Sequence, residues 1–306
     1  MFIQNGEVMN RFGGEWTVRK LEALKKYLNA YKRIFDGNER ARFFRTIYID
    51  GFAGSGGWVT REQSASVEQQ GLFETHYESA DAGNYAAGSV KIALGIDSPF
   101  DEYILIEKNP KTAAELRCMI ESEFGSLLKS SHIAVGDCNN KLCEIADKWN
   151  YKRDRAVCFL DPYGMSVKWS TLESIARTKA IDMWLLFPLG QGVCRLLKKK
   201  EIPDDAWAEK LDDVLGTQDW RGAFYRRREN NTLFGDKFEI ERCVGVEQIG
   251  EYFLKRLRSI FEGVSKKPMI LRNSRNSPIF MLCFAAGNKK GSVPALRIAN
   301  SIIGKA

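Results

Sequence analysis

The sequence is short of histidine, paired cysteines and long apolar runs, and each shortage removes a class of function. Only two histidines, His76 and His132, occur in 306 residues, and they lie far apart. A zinc centre would have to be assembled from dispersed cysteines, against the usual ligand spacings, so no resident metal is expected. The seven cysteines (118, 138, 143, 158, 194, 243 and 283) include no C-x-x-C pair. An odd, scattered set reads as reduced thiols in a cytoplasm, not as a disulfide framework. No stretch approaches the roughly 20 apolar residues of a membrane helix, so no membrane association is expected. The opening MFIQNGEVMNRFGGEW lacks the charged head and apolar run of a secretory signal. There is no internal repeat, low-complexity tract or long linker. What remains is 44% hydrophobic and 28% charged, the balance of an ordinary globular protein. The reading is one domain over residues 1–306.

The net charge of +7 is unevenly placed. Residues 221–306 hold 17 Lys/Arg against 7 Asp/Glu, an excess of +10, while the front of the chain is slightly acidic. Such asymmetry attracts a polyanion. The clusters are Lys198-Lys199-Lys200, Arg226-Arg227-Arg228, Lys255 with Arg256 and Arg258, Lys266-Lys267, and Arg272 with Arg275. Trp220, Phe224 and Tyr225 adjoin the arginine triplet, and aromatic faces of this kind can stack unpaired bases. Arg226, Arg227, Arg228, Lys255, Arg272 and Arg275 are therefore candidate nucleic-acid contacts, with a solvated basic surface as the alternative.

Hydrophobic spacing organises the rest. Leu21, Leu24, Leu28 and Tyr31 recur at three- and four-residue steps, which predicts a helix over 15–35 with Thr17 or Glu15 as its cap. Short β-branched or aromatic runs follow at Arg45–Asp50, Glu102–Glu107, His132–Val135, Ala156–Leu160 and Ile181–Phe187. Helical stretches at Lys111–Glu123, Lys141–Trp149 and Thr171–Thr178 separate them. Met269–Arg272 and Ile279–Phe284 read as a closing pair around SRNSP, after a basic, helical insertion at 190–265. Strands alternating with helices predict an α/β fold, a mostly parallel sheet covered on both faces. In such a sheet the ligand lies at the carboxyl ends of the strands.

The polar signatures stand at those ends. Asp50, Gly51, Phe52, Gly54 and Gly56 form a glycine loop that lets backbone approach a ligand. Its G-x-x-G-x-G spacing is neither the dinucleotide fingerprint nor a Walker loop. Glu107 ends the second strand, where two carboxylate oxygens match the two vicinal hydroxyls of a ribose. Asp137 follows the third strand and can accept from an adenine amino group. Phe159-Leu160-Asp161-Pro162-Tyr163-Gly164 closes the fourth; proline stiffens the loop that aims Asp161 and Tyr163. Together these residues predict a pocket for an adenosine-like ligand without a polyphosphate.

DGFAGSG, LIEKNP, GDCNN and FLDPYG, in this order, resemble the Rossmann-like methyltransferases that use S-adenosylmethionine. More narrowly, the chain resembles the three-Cys-motif partner protein family (TcmP), from EWTVRKLEALKKYLNAY and YIDGFAGSG through Gly88–Leu94 and FLDPYGM to SPIFMLCFAAGNKKG. The resemblance covers most of the chain. It implies S-adenosylmethionine held by Asp50, Gly51, Phe52, Gly54, Gly56, Glu107 and Asp137, with Asp161, Pro162 and Tyr163 at the reacting centre. It also implies a partner protein bearing a three-cysteine, radical-SAM-like motif. Two departures stand out. Methyltransferases acting on adenine amino groups usually carry Asp-Pro-Pro-Tyr, whereas here one proline is missing and Gly164 follows Tyr163. The glycine loop is also separated from its helix, expected to begin at a Ser89 cap, by a long polar stretch at 58–87, a candidate lid or partner surface. Three readings follow: transfer of a methyl group to a nucleic acid base, a Mg²⁺-dependent nuclease using Asp50, Asp161 and Glu107 or Asp137, and a non-catalytic nucleic-acid-binding subunit.

Overall fold

The computed structural model describes residues 15–56, 88–232 and 235–305. The 58–87 stretch and His76 lie outside the described residues. The first element is α1, Glu15–Gly37. It is already helical at Glu15, so Thr17 is a buried residue of the helix and does not cap it.

Five short strands alternate with helices as the apolar runs require. They are β1 Arg45–Asp50, β2 Glu102–Glu107, β3 Ser131–Val135, β4 Asp154–Leu160 and β5 Ile181–Phe187. The helices between them are α2 Ser89–Leu94, α3 Pro110–Glu123, α4 Cys138–Asp147 and α5 Trp169–Arg177. Pro110 occupies the first turn of α3, where its missing N–H costs nothing, and the Asn109 side chain caps that turn. Ser89 is the first residue of α2, whose cap is Gly88. The α4 helix begins at Cys138, three residues before the expected start, because Asp137 caps it.

The strands pair in the order β3-β2-β1-β4-β5, all parallel. Next to β5 runs β10, Pro278–Ala286, antiparallel. Both β8, Gly263–Val264, and β9, Met269–Arg272, pair antiparallel with β10 and so restore the direction of the first five strands. A single reversed strand next to the sheet edge, with helices on both faces, is the Rossmann-like methyltransferase arrangement.

Alternation along each strand splits the core into two layers. Ile47, Ile49, Ala156, Cys158 and Leu160 face α4, α5, α7 and α9; Tyr48, Val157 and Phe159 face α1, α2, α3 and α10. Here α7 is Asp205–Leu215, α9 is Val246–Arg258 and α10 is Ser292–Gly304. Against the second layer α1 packs Tyr27, whose ring lies 5.4 Å from that of Trp184 and 4.9 Å from that of Phe284.

The insertion between β5 and β8 is helical in α6 Cys194–Leu196, α7, α8 Trp220–Phe224 and α9. It also contains a two-stranded antiparallel hairpin, β6 Tyr225–Thr232 with β7 Gly235–Arg242, which the sequence reading placed in helix. The arginine triplet therefore lies on a strand. No helix among the described residues is long and apolar enough to cross a membrane.

Candidate active site

The strand order reverses between β1 and β4, which makes the crevice beyond their carboxyl ends the expected ligand site. Asp50 pairs with Phe159 of β4, so the glycine loop and Asp161 emerge side by side.

The loop owes its path to glycine. Gly54 and Gly56 have φ of +58° and +74°, the left-handed region that side chains disfavour. A Cβ on Gly56 would lie 2.1 Å from Met119 Cε, whereas one on Gly54 would meet nothing within 4 Å among the described residues. The loop is thus packed against α3 at Gly56 and open at Gly54.

Asp50 sits behind this loop and is fully buried. Its carboxylate accepts from the Tyr48 hydroxyl (2.9 Å), the Phe52 N–H (3.0 Å) and the Ser89 hydroxyl. Burial pushes its carboxyl up to about 6; those three hydrogen bonds pull the other way, and Asp161 adds a small upward push. Asp50 therefore ties β1 and the glycine loop to the start of α2, and its side chain is not open to a ligand.

Glu107 reaches the loop from β2. Its Oε2 accepts from the Gly54 N–H at 3.0 Å and its Oε1 accepts from the Asn109 N–H at 2.7 Å. One carboxylate thus fixes the glycine loop and the entry to α3, and each oxygen keeps a second lone pair. The Asp137 Oδ1 accepts from the N–H groups of Asn139 (3.0 Å) and Asn140 (3.3 Å), which caps α4. Beside it, Asn139 holds the DPYG loop: its Nδ2 donates to the Ser166 carbonyl at 2.9 Å, and its Oδ1 accepts from the Lys168 N–H at 2.9 Å.

Pro162 is buried, and Gly164 takes φ +57° with nothing near a Cβ there among the described residues. Tyr163 projects from this loop, 83% exposed. β1 pairs with both β2 and β4, so Glu107 and the DPYG loop stand at neighbouring strand ends.

The sequence reading missed the partner of Asp161. Lys20 of α1, its side chain 8% exposed, makes an ion pair with the Asp161 carboxylate. The Lys20 ammonium also lies 5.0 Å from the centroid of the Trp16 ring, which packs against Phe280 at 5.0 Å. The signal was present: Lys20 stands one turn before Leu24, on the apolar stripe of α1, where a lysine needs a buried acceptor.

The candidate nucleic-acid contacts do not form one surface. Arg226 pairs across the hairpin with Glu241, and Arg228 with Glu239. The Arg228 guanidinium lies 3.4 Å from the Glu241 carboxylate. Trp220, Phe224 and Tyr225 are buried, and Phe224 packs on Tyr252 of α9 at 4.9 Å, so these rings belong to the core and stack no bases. Lys255 is exposed in the last turn of α9. Arg272 and Arg275 are exposed around the β9–β10 turn. Among the described residues no three His, Cys, Asp or Glu side chains come together as a metal cage. The carboxylates of the Mg²⁺ reading are committed to the Tyr48 and Ser89 hydroxyls, to Lys20 and to backbone N–H groups.

The strand order and the helices on both faces define a Rossmann-like fold of the methyltransferase type. No family model matches the chain, and no curated protein matches it. Among solved structures, protein LPL1258 from Legionella pneumophila is 13% identical, with 96% of this chain and 92% of that one covered at a TM-score of 0.47. Spermidine synthase from Thermotoga maritima is 8% identical, covers 96% and 76%, and gives 0.39. The O-methyltransferase from Bacillus cereus in complex with SAH is 12% identical, covers 73% and 85%, and gives 0.33. These likenesses are slight, and the functional reading rests on the crevice itself.

Proposed function

We propose that this chain is an S-adenosylmethionine-dependent methyltransferase acting on nucleic acid. The observation that carries the reading is the hydrogen bond from the Gly54 N–H to Glu107 Oε2, which sets a carboxylate with spare lone pairs beside an open glycine loop at the sheet's switch point. These residues fit an adenosine. Glu107 would accept the ribose hydroxyl protons, the Gly54 backbone would lie against the cofactor, and Asp137 would face the adenine side of the pocket from β3. The cofactor supplies a methyl group on a positively charged sulfur, ready for in-line displacement. Asp161 and Tyr163 would hold the target at the mouth of the crevice. Positioning and a negative electrostatic setting are the main catalytic means available to such a site. Asp161 suits a target amine, because a carboxylate accepts the N–H and points the nitrogen lone pair towards the methyl group.

The resemblance to three-Cys-motif partner proteins supports a second protein with a radical-SAM-like centre as a partner. A non-catalytic, nucleic-acid-binding role is the competing reading, and the Lys20–Asp161 pair favours it because it occupies the acceptor that a substrate would need. Calorimetric titration with S-adenosylmethionine and S-adenosylhomocysteine tests the cofactor site. Saturable heat from both supports it, and none from a folded sample overturns it. Transfer of a labelled methyl group to DNA or RNA separates catalysis from binding alone.

A further inference from the structure

We infer that the turn between β9 and β10 is the phosphate-anchoring rim of the substrate site, with Arg272 and Arg275 as its contacts to the backbone of a nucleic acid strand. This rests on the methyltransferase reading for the position of the reacting centre.

The turn stands at the right end of the sheet. Met281 of β10 pairs with Phe187, the last residue of β5. Residues 278–280 therefore run about 10 Å past the end of β5, at ~3.3 Å per residue, and the turn lies beyond them. Laterally, β10 is two strands from β4, or ~10 Å from the line of Asp161. That separation suits a base at Asp161 whose strand continues over the rim. The turn also packs on the elements that frame Asp161. Phe280 meets Trp16, one helical turn before Lys20. Gly190, in the turn after β5, lies so close to Pro278 that a Cβ there would be 1.9 Å from the Pro278 carbonyl oxygen.

The rim is preformed. The Asn273 N–H donates to the Ser277 carbonyl at 3.0 Å, and the Asn273 Oδ1 accepts from the N–H groups of Arg275 (3.1 Å) and Ser277 (2.9 Å). The Arg272 Nη1 donates to the Asn276 carbonyl at 2.9 Å and leaves its other guanidinium donors available. No acid offsets this charge along the chain: residues 263–306 hold eight Lys/Arg and no Asp or Glu. Preformed guanidinium groups with no acidic partner among the described residues are what phosphate recognition requires.

The other basic clusters are worse placed. The hairpin arginines face Glu239 and Glu241. The α9 helix begins beside Leu189, just after β5, and descends to β8, which pairs with Ala285 at the far end of β10. Lys266 and Lys267, between β8 and β9, therefore lie at the opposite end of the sheet from Asp161, and Arg256 of α9 is committed to the Leu215 and Gly216 carbonyls and to the Trp169 ring.

The test compares three variants of the full chain: R272A/R275A, R226A/R228A and K266A/K267A. Each is titrated with fluorescein-labelled 20-mers of single- and double-stranded DNA and RNA at several salt concentrations. S-adenosylhomocysteine calorimetry on the same samples reports folding and the cofactor site. R275A alone, which leaves the Arg272–Asn276 bond intact, guards against collapse of the turn. The inference expects R272A/R275A to weaken binding roughly tenfold near ~100 mM salt and to lower the log–log salt slope by about two. R275A should lower it by about one, and the other two pairs should leave it unchanged. An unchanged slope in the rim variants, or a loss confined to the hairpin variant, overturns the inference. So does absence of nucleic-acid binding by a wild-type protein that binds S-adenosylhomocysteine. Absence of that cofactor heat is instead the failure of the methyltransferase reading.

Discussion

Lys20, from the helix that precedes the sheet, is ion-paired with Asp161, from the loop that follows its fourth strand. The ammonium is nearly buried, so the pair fixes the carboxylate in direction. A target amine must share or displace that contact. Lys20→Met removes the cation and keeps the stem's packing. It should lower methyl transfer by at least about tenfold, the scale of losing one charge-assisted hydrogen bond, while S-adenosylhomocysteine affinity stays within about twofold. Lys20→Arg should restore part of the rate. A Lys20→Met enzyme with unchanged turnover would show that the pair is structural only.

Asp161→Ala carries the complementary expectation. It should abolish transfer and leave the heat of S-adenosylhomocysteine binding nearly unchanged, because the proposed cofactor contacts come from the ends of β1, β2 and β3. Loss of cofactor binding in this variant would move Asp161 from the substrate side of the crevice to the cofactor side.

Glu107→Ala should weaken the S-adenosyl compounds by about 1–3 kcal/mol, the range for hydrogen bonds to a charged group. Glu107→Gln should cost less, since an amide retains one acceptor for the Gly54 N–H. Equal affinity of Glu107→Ala and wild type by calorimetry would place the ribose elsewhere.

Gly56→Ala places a methyl group 2.1 Å from Met119 Cε at a φ of +74°. Conformational strain and the collision act together, so the midpoint of thermal unfolding should drop and cofactor affinity should fall with it. Gly54→Ala shares the positive φ without the collision and should be milder in stability. Equal melting midpoints for the two variants would contradict the packing of the loop on α3.

Asp50 and Asp182 give an unusual pH dependence. Both carboxyls are held up at about 6 chiefly by burial. Asp182 accepts from the Tyr27 hydroxyl at 2.9 Å and from the Gly287 N–H at 3.1 Å, which offsets part of that cost. In the unfolded chain both titrate near ~3.9. Between these values the folded state binds more protons, so stability falls as pH rises. Their contribution is fully present below about pH 4 and is lost through about pH 6, roughly 2–3 kcal/mol for each group. Asp182→Asn should flatten part of the fall in urea titrations between pH 4 and 7. A slope unchanged by that substitution would mean that Asp182 titrates normally.

The parallel sheet was legible because strands buried on both faces leave short apolar runs, and Ile181–Phe187 and Glu102–Glu107 match their strands residue for residue. The glycine loop and Glu107 were legible because their positions follow from where those runs stop. The hairpin was not. YRRRENNT carries almost no apolar alternation, and its pairing with GDKFEIER is set by cross-strand partners that local spacing does not reveal. The burial of Trp220, Phe224 and Tyr225 was hidden for a related reason: Tyr252, which covers Phe224, lies far along the chain. Asp137 looked like a ligand contact, yet its Oδ1 is an N-cap, a role that the same residue at the same place serves equally well. Lys20 was overlooked because an amphipathic helix was read for its leucines and not for the buried lysines among them, Lys20 and Lys32.

The helix α1 spans the molecule from crevice to base. Lys20 near its start meets Asp161, while Tyr27, two turns later, meets Asp182 at the foot of β5. A protein cut to begin at β1 would keep every glycine and carboxylate of the crevice, yet lose the cation that pairs with Asp161 and a hydroxyl partner of its buried acid. What the order of the chain presents as a leading segment is, in three dimensions, a strut joining chemistry at one end of the sheet to stability at the other.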